Sequence, residues 1–198
     1  MVPYPASLDL PHALVECVTM LIVTREGDRR CKLRPHQRAL VALIYLLDGT
    51  LAECDRVGDS RADFSQKHRR HGVNVQVIAD PAGNLLWISP ALPGRTHDLT
   101  AARTHRIIRI CERQGVPVLA DRAYIGAGPW VTTPIRRLPH QDLNPTQRTI
   151  NRALSAARAP VERSVARLKS WRIFRRARCS PNRMTAIAAA VLTLERQR

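Results

Sequence analysis

Three acidic residues in distant segments are the candidates for chemistry in this very basic chain. Asp48 lies in LLDGTL, Asp121 in VLADRAY and Glu162 in RAPVERSVARLKSW. The two aspartates are expected where strands end, and the glutamate on a late helix. Three carboxylates brought together can hold two divalent cations, which activate a nucleophile and stabilise the leaving oxygen of a phosphodiester. These residues therefore form a candidate catalytic and metal-binding set.

Spacing alone leaves a simpler explanation open for each acid. Asp48 is followed by Gly and Thr, a common turn sequence. Asp121 could be an ordinary acid at the end of a strand. Glu162 could pair with Arg158 one helical turn earlier, or interact with the helix dipole. Because no local pattern links the three acids, the elements around them must decide whether they meet.

The charge of the chain points to a polyanionic partner. Among 198 residues there are 32 Lys and Arg against 16 Asp and Glu, a formal net charge of +16. Such a surplus favours nucleic acid, with a merely basic soluble protein as the alternative. Cations cluster in the turn KHRRHG and from Arg148 to Arg178, where a solvated helix face is the other explanation. The candidate DNA-binding residues are Lys67, Arg69, Arg70, Arg158, Arg163, Arg167, Lys169, Arg172, Arg175 and Arg176.

The cysteines and the early apolar run bear on the compartment. Five scattered cysteines without a CxxC pair argue against a zinc site or a disulfide framework, and favour a reducing cytoplasm. The run from Ala13 to Val23 is short and contains Glu16. It therefore resembles neither a signal peptide nor a membrane span.

Residues 41–137 are predicted to be α/β. Val73, Val75 and Val77 alternate with polar residues, which predicts a half-buried strand. A turn then leads to a second strand, Leu85 to Ser89, so the two strands should form a hairpin. The preceding run, Leu40 to Leu47, fits either a buried helix or a buried strand.

The rest of this region should position the second aspartate. Asp98 is expected to cap a helix from Leu99 to Arg113. A short buried strand from Val116 to Ala120 then exits at Asp121, and strand ends of this kind are frequent places for chemistry. Residues Trp130 to Ile135 are expected to add an edge strand.

Residues 143–198 are predicted to be helical. Asn144 should begin a helix with a capping box. Pro160 is expected to kink or restart that helix, which would put Glu162 in the first turn of its second piece. A last helix is predicted from Met184 to Glu195.

In four motifs the chain resembles the DDE superfamily of bacterial insertion-sequence transposases, specifically the IS5-like group. LLDGTL resembles the family's strand with the first aspartate, and VLADRAY the strand with the second. KHRRHGVNVQVIADPAGNLLWISPALPGRTHDL resembles the hairpin and the loop that follows it. LNPTQRTINRALSAARAPVERSVARLKSWRIF resembles the terminal helix with the glutamate. The resemblance runs from about Leu47 to the end, with the motifs in the family's order.

The resemblance implies an RNase H-like fold, a mixed sheet flanked by helices. In that fold Asp48 and Asp121 lie on adjacent strands and a helix brings Glu162 over them. It further implies two Mg²⁺ or Mn²⁺ ions, DNA cleavage and strand transfer, and DNA at the element ends and target as partner. A homo-oligomer and a bacterial, nucleoid-associated location follow from the same resemblance. Asp98 would then be a cap or a group behind the three ligands.

One departure from the family concerns the segment before Asp48. RPHQRALVALIYL resembles the opening of a helix-turn-helix segment, but it runs directly into LDGTL. We interpret this as an internal deletion, leaving residues 1–40 as a helical remnant and residues 41–198 as the catalytic domain. Two hypotheses follow, an active enzyme or a catalytically inactive remnant with only non-specific DNA binding. They differ in whether Asp48 still reaches the site.

Overall fold

The structure, a computed structural model, describes residues 44–55 and 61–197. The expected N-terminal helical remnant of residues 1–40 lies outside the described residues. Half of the ambiguous run from Leu40 to Leu47 also lies outside them, but its last residues begin the first strand.

A mixed sheet forms the centre of the fold, as the resemblance predicted. Its order is β2-β3-β1-β6-β7, and two further strands, β4 and β5, pair with β3. β1 is antiparallel to β3 and parallel to β6, which is parallel to β7. The strands are β1 (Tyr45–Glu53), β2 (Phe64–Ser65), β3 (Arg70–Ala79), β4 (Leu85–Ile88), β5 (Leu92–Pro93), β6 (Val118–Leu119) and β7 (Val131–Thr132).

Helices cover both faces of the sheet, which gives the RNase H-like arrangement. The α-helices are α1 (Asp98–Thr104), α2 (Ile107–Arg113), α3 (Pro145–Ser170), α4 (Arg172–Arg175) and α5 (Met184–Glu195), and 3₁₀ turns span Arg122–Tyr124 and Pro181–Arg183. On one face the valines of β3 pack with Val161 and Leu168 of α3 and Val191 of α5. On the other face Leu47 of β1 packs with α1, α2 and Tyr124.

Strand β3 corrects the expectation of a half-buried strand. Every residue from Gly72 to Val77 is buried, including the polar Asn74 and Gln76. Alternation of apolar and polar residues usually marks one wet face. Here the polar face lies under α1, where its amide groups find hydrogen-bonding partners.

The helix expected from Leu99 to Arg113 is two helices, α1 and α2. Arg106 adopts a left-handed conformation with φ 56°, which cannot continue a right-handed helix. Neither Pro nor Gly marks this break in the sequence, so the pattern gave no signal for it. The result is a bend that lets both short helices pack on the same sheet face.

Helix α3 does not restart at Pro160, which was one of the two expectations for this residue. The helix is continuous from Pro145 to Ser170, so Glu162 lies in its interior and not in a first turn. A proline removes one backbone hydrogen bond, and here contacts with the sheet hold the helix together across the gap. The Ser164 hydroxyl lies 2.6 Å from the Gly83 carbonyl in the β3–β4 turn and 2.9 Å from the Pro160 carbonyl, and its single O–H can donate to either oxygen.

Other predicted elements are present. Asn144 and Gln147 form the capping box at the start of α3, with reciprocal hydrogen bonds of 2.8 and 3.0 Å. The hairpin of β3 and β4 and the final helix α5 are confirmed. The strands expected at Val116–Ala120 and Trp130–Ile135 are β6 and β7, each two residues long.

Candidate active site

Asp48 lies inside β1 and not at the end of a strand or in a turn. It is the fourth residue of a nine-residue strand. Backbone pairing with β3 continues on both sides of it, with Asp48 opposite Val77 and Glu53 opposite Gly72. The Asp-Gly-Thr sequence forms no turn here because both neighbours of Asp48 are held in this ladder. Asp48 therefore has a fixed place in the sheet.

Asp121 lies at the same level of the neighbouring strand. β1 and β6 are parallel, with Leu46 opposite Leu119. Asp48 and Asp121 each follow two residues after these partners, and residues two apart in an extended chain point to the same face. The Asp121 carboxylate accepts a 2.8 Å hydrogen bond from the Ala123 amide, which opens the 3₁₀ turn.

Glu162 reaches this face from α3, next to a buried arginine one turn earlier. The Arg158 guanidinium lies 3.7 Å from the Asp48 carboxylate and 3.8 Å from that of Glu162. The Arg158 side chain is only 8% exposed, whereas that of Glu162 is 59% exposed. Arg158 Nε is buried and has no hydrogen-bond partner among the described residues. An internal cation therefore lies between the strand aspartate and the helix glutamate.

The pKa of Asp48 reflects this crowded surrounding. Burial raises the pKa of Asp48 to about 6 from its ordinary value near 3.8. The Arg158 guanidinium opposes the shift, while the neighbouring carboxylates of Asp121 and Asp98 add to it. Two or more carboxylates thus share one low-dielectric region, which favours the arrival of a cation.

The three carboxylates are suitable ligands for a hard divalent cation, but that of Glu162 is paired with Arg158. Carboxylate oxygens are the ligands that Mg²⁺ and Mn²⁺ prefer. Within residues 44–55 and 61–197, however, no three His, Cys, Asp or Glu side chains converge closely enough to hold a metal ion. Asp48 and Asp121 occupy compatible positions. Glu162 pairs with Arg158, and its side chain is 59% exposed.

Asp98 does not cap α1, contrary to the first of its two expected roles. His97 holds the cap position and makes no capping side-chain bond, and Asp98 is the first helical residue. The Asp98 carboxylate instead accepts hydrogen bonds from Asn74 at 2.8 Å and from Lys67 at 3.2 Å. The second expectation, a group behind the three acids, stays a prediction.

The sequence interpretation missed Gln76 and Tyr124. Both are fully buried, and the Tyr124 hydroxyl donates a 2.5 Å hydrogen bond to Gln76. The available signal was the polar face of β3, where Asn74 and Gln76 alternate with valines. Alternation alone predicts that such a face meets solvent, which is why neither residue stood out.

The expected DNA-binding cations fall into two groups. Some are engaged within the protein: Lys67 with Asp98, Arg70 with Glu53, Arg158 with Asp48 and Glu162, Arg167 with Glu195, and Arg176 with Asp55. Others lie on or near the surface of the β2–β3 turn, α3 and α4: Arg69, Arg163, Lys169, Arg172 and Arg175. The second group gives the β2–β3 turn and the outer side of α3 and α4 a positive surface.

A mixed sheet that presents two aspartates at one level, under a helix carrying a glutamate, defines the class of RNase H-like phosphodiester-cleaving enzymes. The family model of the DDE superfamily endonucleases matches residues 47–196, and the chain belongs to that family. Its members act on DNA and generally use divalent metal ions. No curated protein and no solved structure gives a significant match. None of the helices in the described ranges is both long and apolar enough to cross a membrane.

Proposed function

We propose that this chain is a transposase that cleaves DNA and transfers the strand, with Asp48, Asp121 and Glu162 as catalytic and metal-binding residues. The observation that carries the proposal is the β1–β6 register, which sets the two aspartates at the same level. Helix α3 lies over the same face of the sheet, and its Arg158 contacts both Asp48 and Glu162. Family membership supplies the substrate class, DNA phosphodiesters.

In this proposal each acid has a distinct task. Asp48 and Asp121 are fixed by strand pairing and by the hydrogen bond to Ala123, so they form the rigid half of the site. Glu162 completes it by turning from Arg158 toward the aspartates. Two Mg²⁺ or Mn²⁺ ions would supply Lewis acidity and charge neutralisation at the phosphate. Hydrolysis at an element end then frees a 3′-hydroxyl, which attacks a phosphodiester of the target DNA.

The surface cations of α3 and α4 support DNA as the ligand. Arg163, Lys169, Arg172 and Arg175 lie on or near the surface of α3 and α4 and would contact phosphates without reading sequence. We also assign the chain to the IS5-like group and interpret residues 1–40 as what is left of a helix-turn-helix region. The active form would be a homo-oligomer that holds paired element ends.

One observation favours the second candidate, an inactive remnant that only binds DNA non-specifically. Glu162 is 59% exposed and paired with Arg158, and no three acids of the described segments converge on one point. In this case the cations would retain DNA affinity, while the carboxylates would not hold a pair of metal ions in a productive arrangement.

A plasmid-nicking assay separates the two candidates. With Mn²⁺ present, the wild-type protein should convert supercoiled plasmid to nicked and linear forms, and Asp121→Ala should abolish the conversion. Asp142→Ala is the matched control, because that aspartate is exposed and pairs with Arg137 and not with any of the three acids or Arg158. Equal cleavage by wild type and Asp121→Ala would rule out the proposed site, and absence of cleavage in both would favour the remnant.

A further inference from the structure

A chain of buried polar groups connects the core to one exposed lysine. The Tyr124 hydroxyl donates to Gln76 Oε1, and Gln76 Nε2 donates to Asn74 Oδ1 at 2.7 Å. Asn74 Nδ2 donates to Asp98 Oδ1, whose other oxygen accepts from Lys67 Nζ at 3.2 Å. All of these side chains except that of Lys67 are buried.

A network of this kind is an energetically unfavourable way to fill the core. Buried polar groups need every partner, and apolar residues of similar volume would often be as stable. The residue that follows Asp48 in β1 also leaves space for this network. A Cβ on Gly49 would lie 2.2 Å from Asp98 Oδ1 and 2.9 Å from Gln76 Nε2. Glycine at this position therefore makes the room that Asp98 occupies.

Lys67 lies where the network meets both solvent and the acids. Its side chain is 61% exposed, and it lines a cavity of about 370 Å³ together with His68, Arg95 and His97. Burial opposes the charge of the Lys67 amine, but the carboxylates of Asp98, Asp121 and Asp48 raise its pKa above the ordinary value. The same cavity is lined by Gly49, which follows Asp48 in β1, and by Ala123, whose amide donates to the Asp121 carboxylate. Lys67 therefore shares a cavity with the chain neighbours of both proposed metal-binding aspartates.

We propose that Lys67 binds the phosphate that is cleaved, and that Asp98 is a positioning residue that fixes Lys67 beside Asp48 and Asp121. An ammonium group held in this place stabilises negative charge that develops on the phosphoryl oxygens. Asn74, Gln76 and Tyr124 hold the Asp98 carboxylate in turn. This inference rests on the proposed DNA-cleaving function and deepens it by naming the group that holds the scissile phosphate.

A double-mutant cycle on cleavage of a short duplex tests the link between the two residues. Lys67→Ala should lower kcat by about 10²-fold, the scale of losing one donor at a developing oxyanion. Asp98→Asn should lower kcat by roughly 10- to 100-fold through misplacement of Lys67. The double variant should be no slower than Lys67→Ala, because Asp98 acts through the lysine. If the two effects multiply, Asp98 has an independent role and the inference is overturned.

Metal affinity distinguishes positioning from ligation. Asp98→Asn should leave the Mn²⁺ dissociation constant unchanged, whereas Asp121→Asn should weaken Mn²⁺ binding strongly. A tenfold loss of Mn²⁺ affinity in Asp98→Asn would make Asp98 a metal ligand and contradict the inference. Asp142→Asn is the matched control for the removed charge, because its side chain is 86% exposed.

DNA binding in EDTA tests the phosphate contact separately from cleavage. Lys67→Ala should reduce the slope of log K against log salt by about 0.9, the value for one phosphate contact. Arg113→Ala, an exposed cation on α2, should leave the slope unchanged. An unchanged slope in Lys67→Ala overturns the inference whether or not the wild type cleaves DNA. Loss of cleavage with the slope effect intact contradicts only the proposed function.

Tyr124→Phe provides a second test of the network in case Asp98→Asn does not fold. Removing one hydroxyl leaves the ring packed in the core, so urea unfolding should show a folded protein. Its kcat should fall while KM stays within about threefold of wild type, and the kcat of Lys67→Ala should not fall further when Tyr124→Phe is added. A lower stability with unchanged kcat would reduce the network to a structural role and overturn the inference.

Discussion

At the residue scale, Arg158 determines the state of the candidate site. It is a buried cation between Asp48 and Glu162, and its Nε lacks a partner among the described residues. An arginine is charged at every accessible pH and needs carboxylates when it is buried. Its guanidinium lies 3.8 Å from the Glu162 carboxylate, so the arginine attracts the glutamate as well as Asp48. A divalent cation at the acids would compete with the guanidinium for the same oxygens.

We therefore expect a bound metal ion to stabilise a variant without Arg158 more than it stabilises the wild type. Arg158→Met should lower the free energy of unfolding in EDTA by about 3 kcal/mol, because it leaves the Asp48 carboxylate buried without its counter-charge. Saturating Mn²⁺ should stabilise Arg158→Met more than it stabilises the wild type. Urea unfolding with EDTA and with Mn²⁺ measures both differences.

Arg163→Met is the control for that measurement, since Arg163 is an exposed neighbour on α3. It should change the free energy of unfolding by less than about 0.5 kcal/mol, the usual range for surface positions. An equal response of wild type and Arg158→Met to Mn²⁺ would show that the guanidinium and the metal do not share a place.

The pKa of Asp48 predicts the pH dependence of metal binding. Because burial raises this pKa to about 6, the carboxyl group is protonated below pH 6 and must lose its proton before it binds a cation. The apparent Mn²⁺ affinity should therefore fall by about tenfold per pH unit below about pH 6 and level off above about pH 7. Calorimetric titration across about pH 5 to 8 measures this profile, which should flatten in Asp48→Asn. A profile that stays flat in wild type would contradict the shifted pKa.

At the element scale, the strand that carries Asp48 and the helix that carries Glu162 differ in how firmly they are held. β1 is held along its whole length by β3 and at its start by β6. Helix α3 approaches from the other direction and carries Pro160 two residues before Glu162. The missing N–H of Pro160 leaves a backbone bond unmade in the middle of the helix. The glutamate therefore lies on the less constrained element.

Replacing this proline should strengthen the helix. Pro160→Ala restores a donor inside a continuous helix, where Pro is about 3 kcal/mol less favourable than Ala. We expect the free energy of unfolding to rise by about 1–2 kcal/mol, less than the full value because Pro160 packs on Gly83. Urea unfolding measures the increase.

Pro181→Ala is the matched control for that variant, because Pro181 opens a 3₁₀ turn where no N–H is needed. Its free energy of unfolding should stay close to that of the wild type. A loss of stability in Pro160→Ala would show that the packing of the proline ring outweighs the backbone hydrogen bond.

At the scale of the whole molecule, the positively charged side chains fall into two sets. Part of it neutralises acids within the protein, as in the pairs of Arg70 with Glu53 and Arg176 with Asp55. Another part lies on α3 and α4, on the same side of the sheet as Asp48. A positive surface beside an acidic cleft attracts DNA, while the acids keep phosphates from entering the cleft unless cations are bound there.

The salt dependence of DNA binding should report this surface. The triple variant Arg163→Ala, Arg172→Ala, Arg175→Ala should reduce the slope of log K against log salt by about 0.9 for each phosphate that is no longer neutralised. The double variant Arg109→Ala, Arg113→Ala, on the exposed side of α2, should leave the slope near wild type. Fluorescence anisotropy with a labelled duplex in EDTA gives both slopes. Equal reductions in the two variants would mean that DNA has no preferred face on the protein.

The elements that the sequence predicted well are those with strong local signals. The capping box at Asn144, the hairpin of β3 and β4, and helix α5 all follow from residues close together in the chain. The expectations of an unbroken helix through Arg106 and of a helix restart at Pro160 were wrong, because packing on the sheet overrode local preference there. The same physics hid the role of Gln76, which alternation alone places in solvent.

By itself, the sequence determined the charge, the order of the motifs and hence the family, since these depend only on residue types along the chain. The tertiary structure decided how the acids relate to one another. Register between parallel strands aligned Leu46 with Leu119, two residues before Asp48 and Asp121, and the buried Arg158 has both Asp48 and Glu162 as partners. Such relations depend on long-range pairing and on competition between charges in a low-dielectric interior. No local pattern encodes them, because the partners lie far apart along the chain.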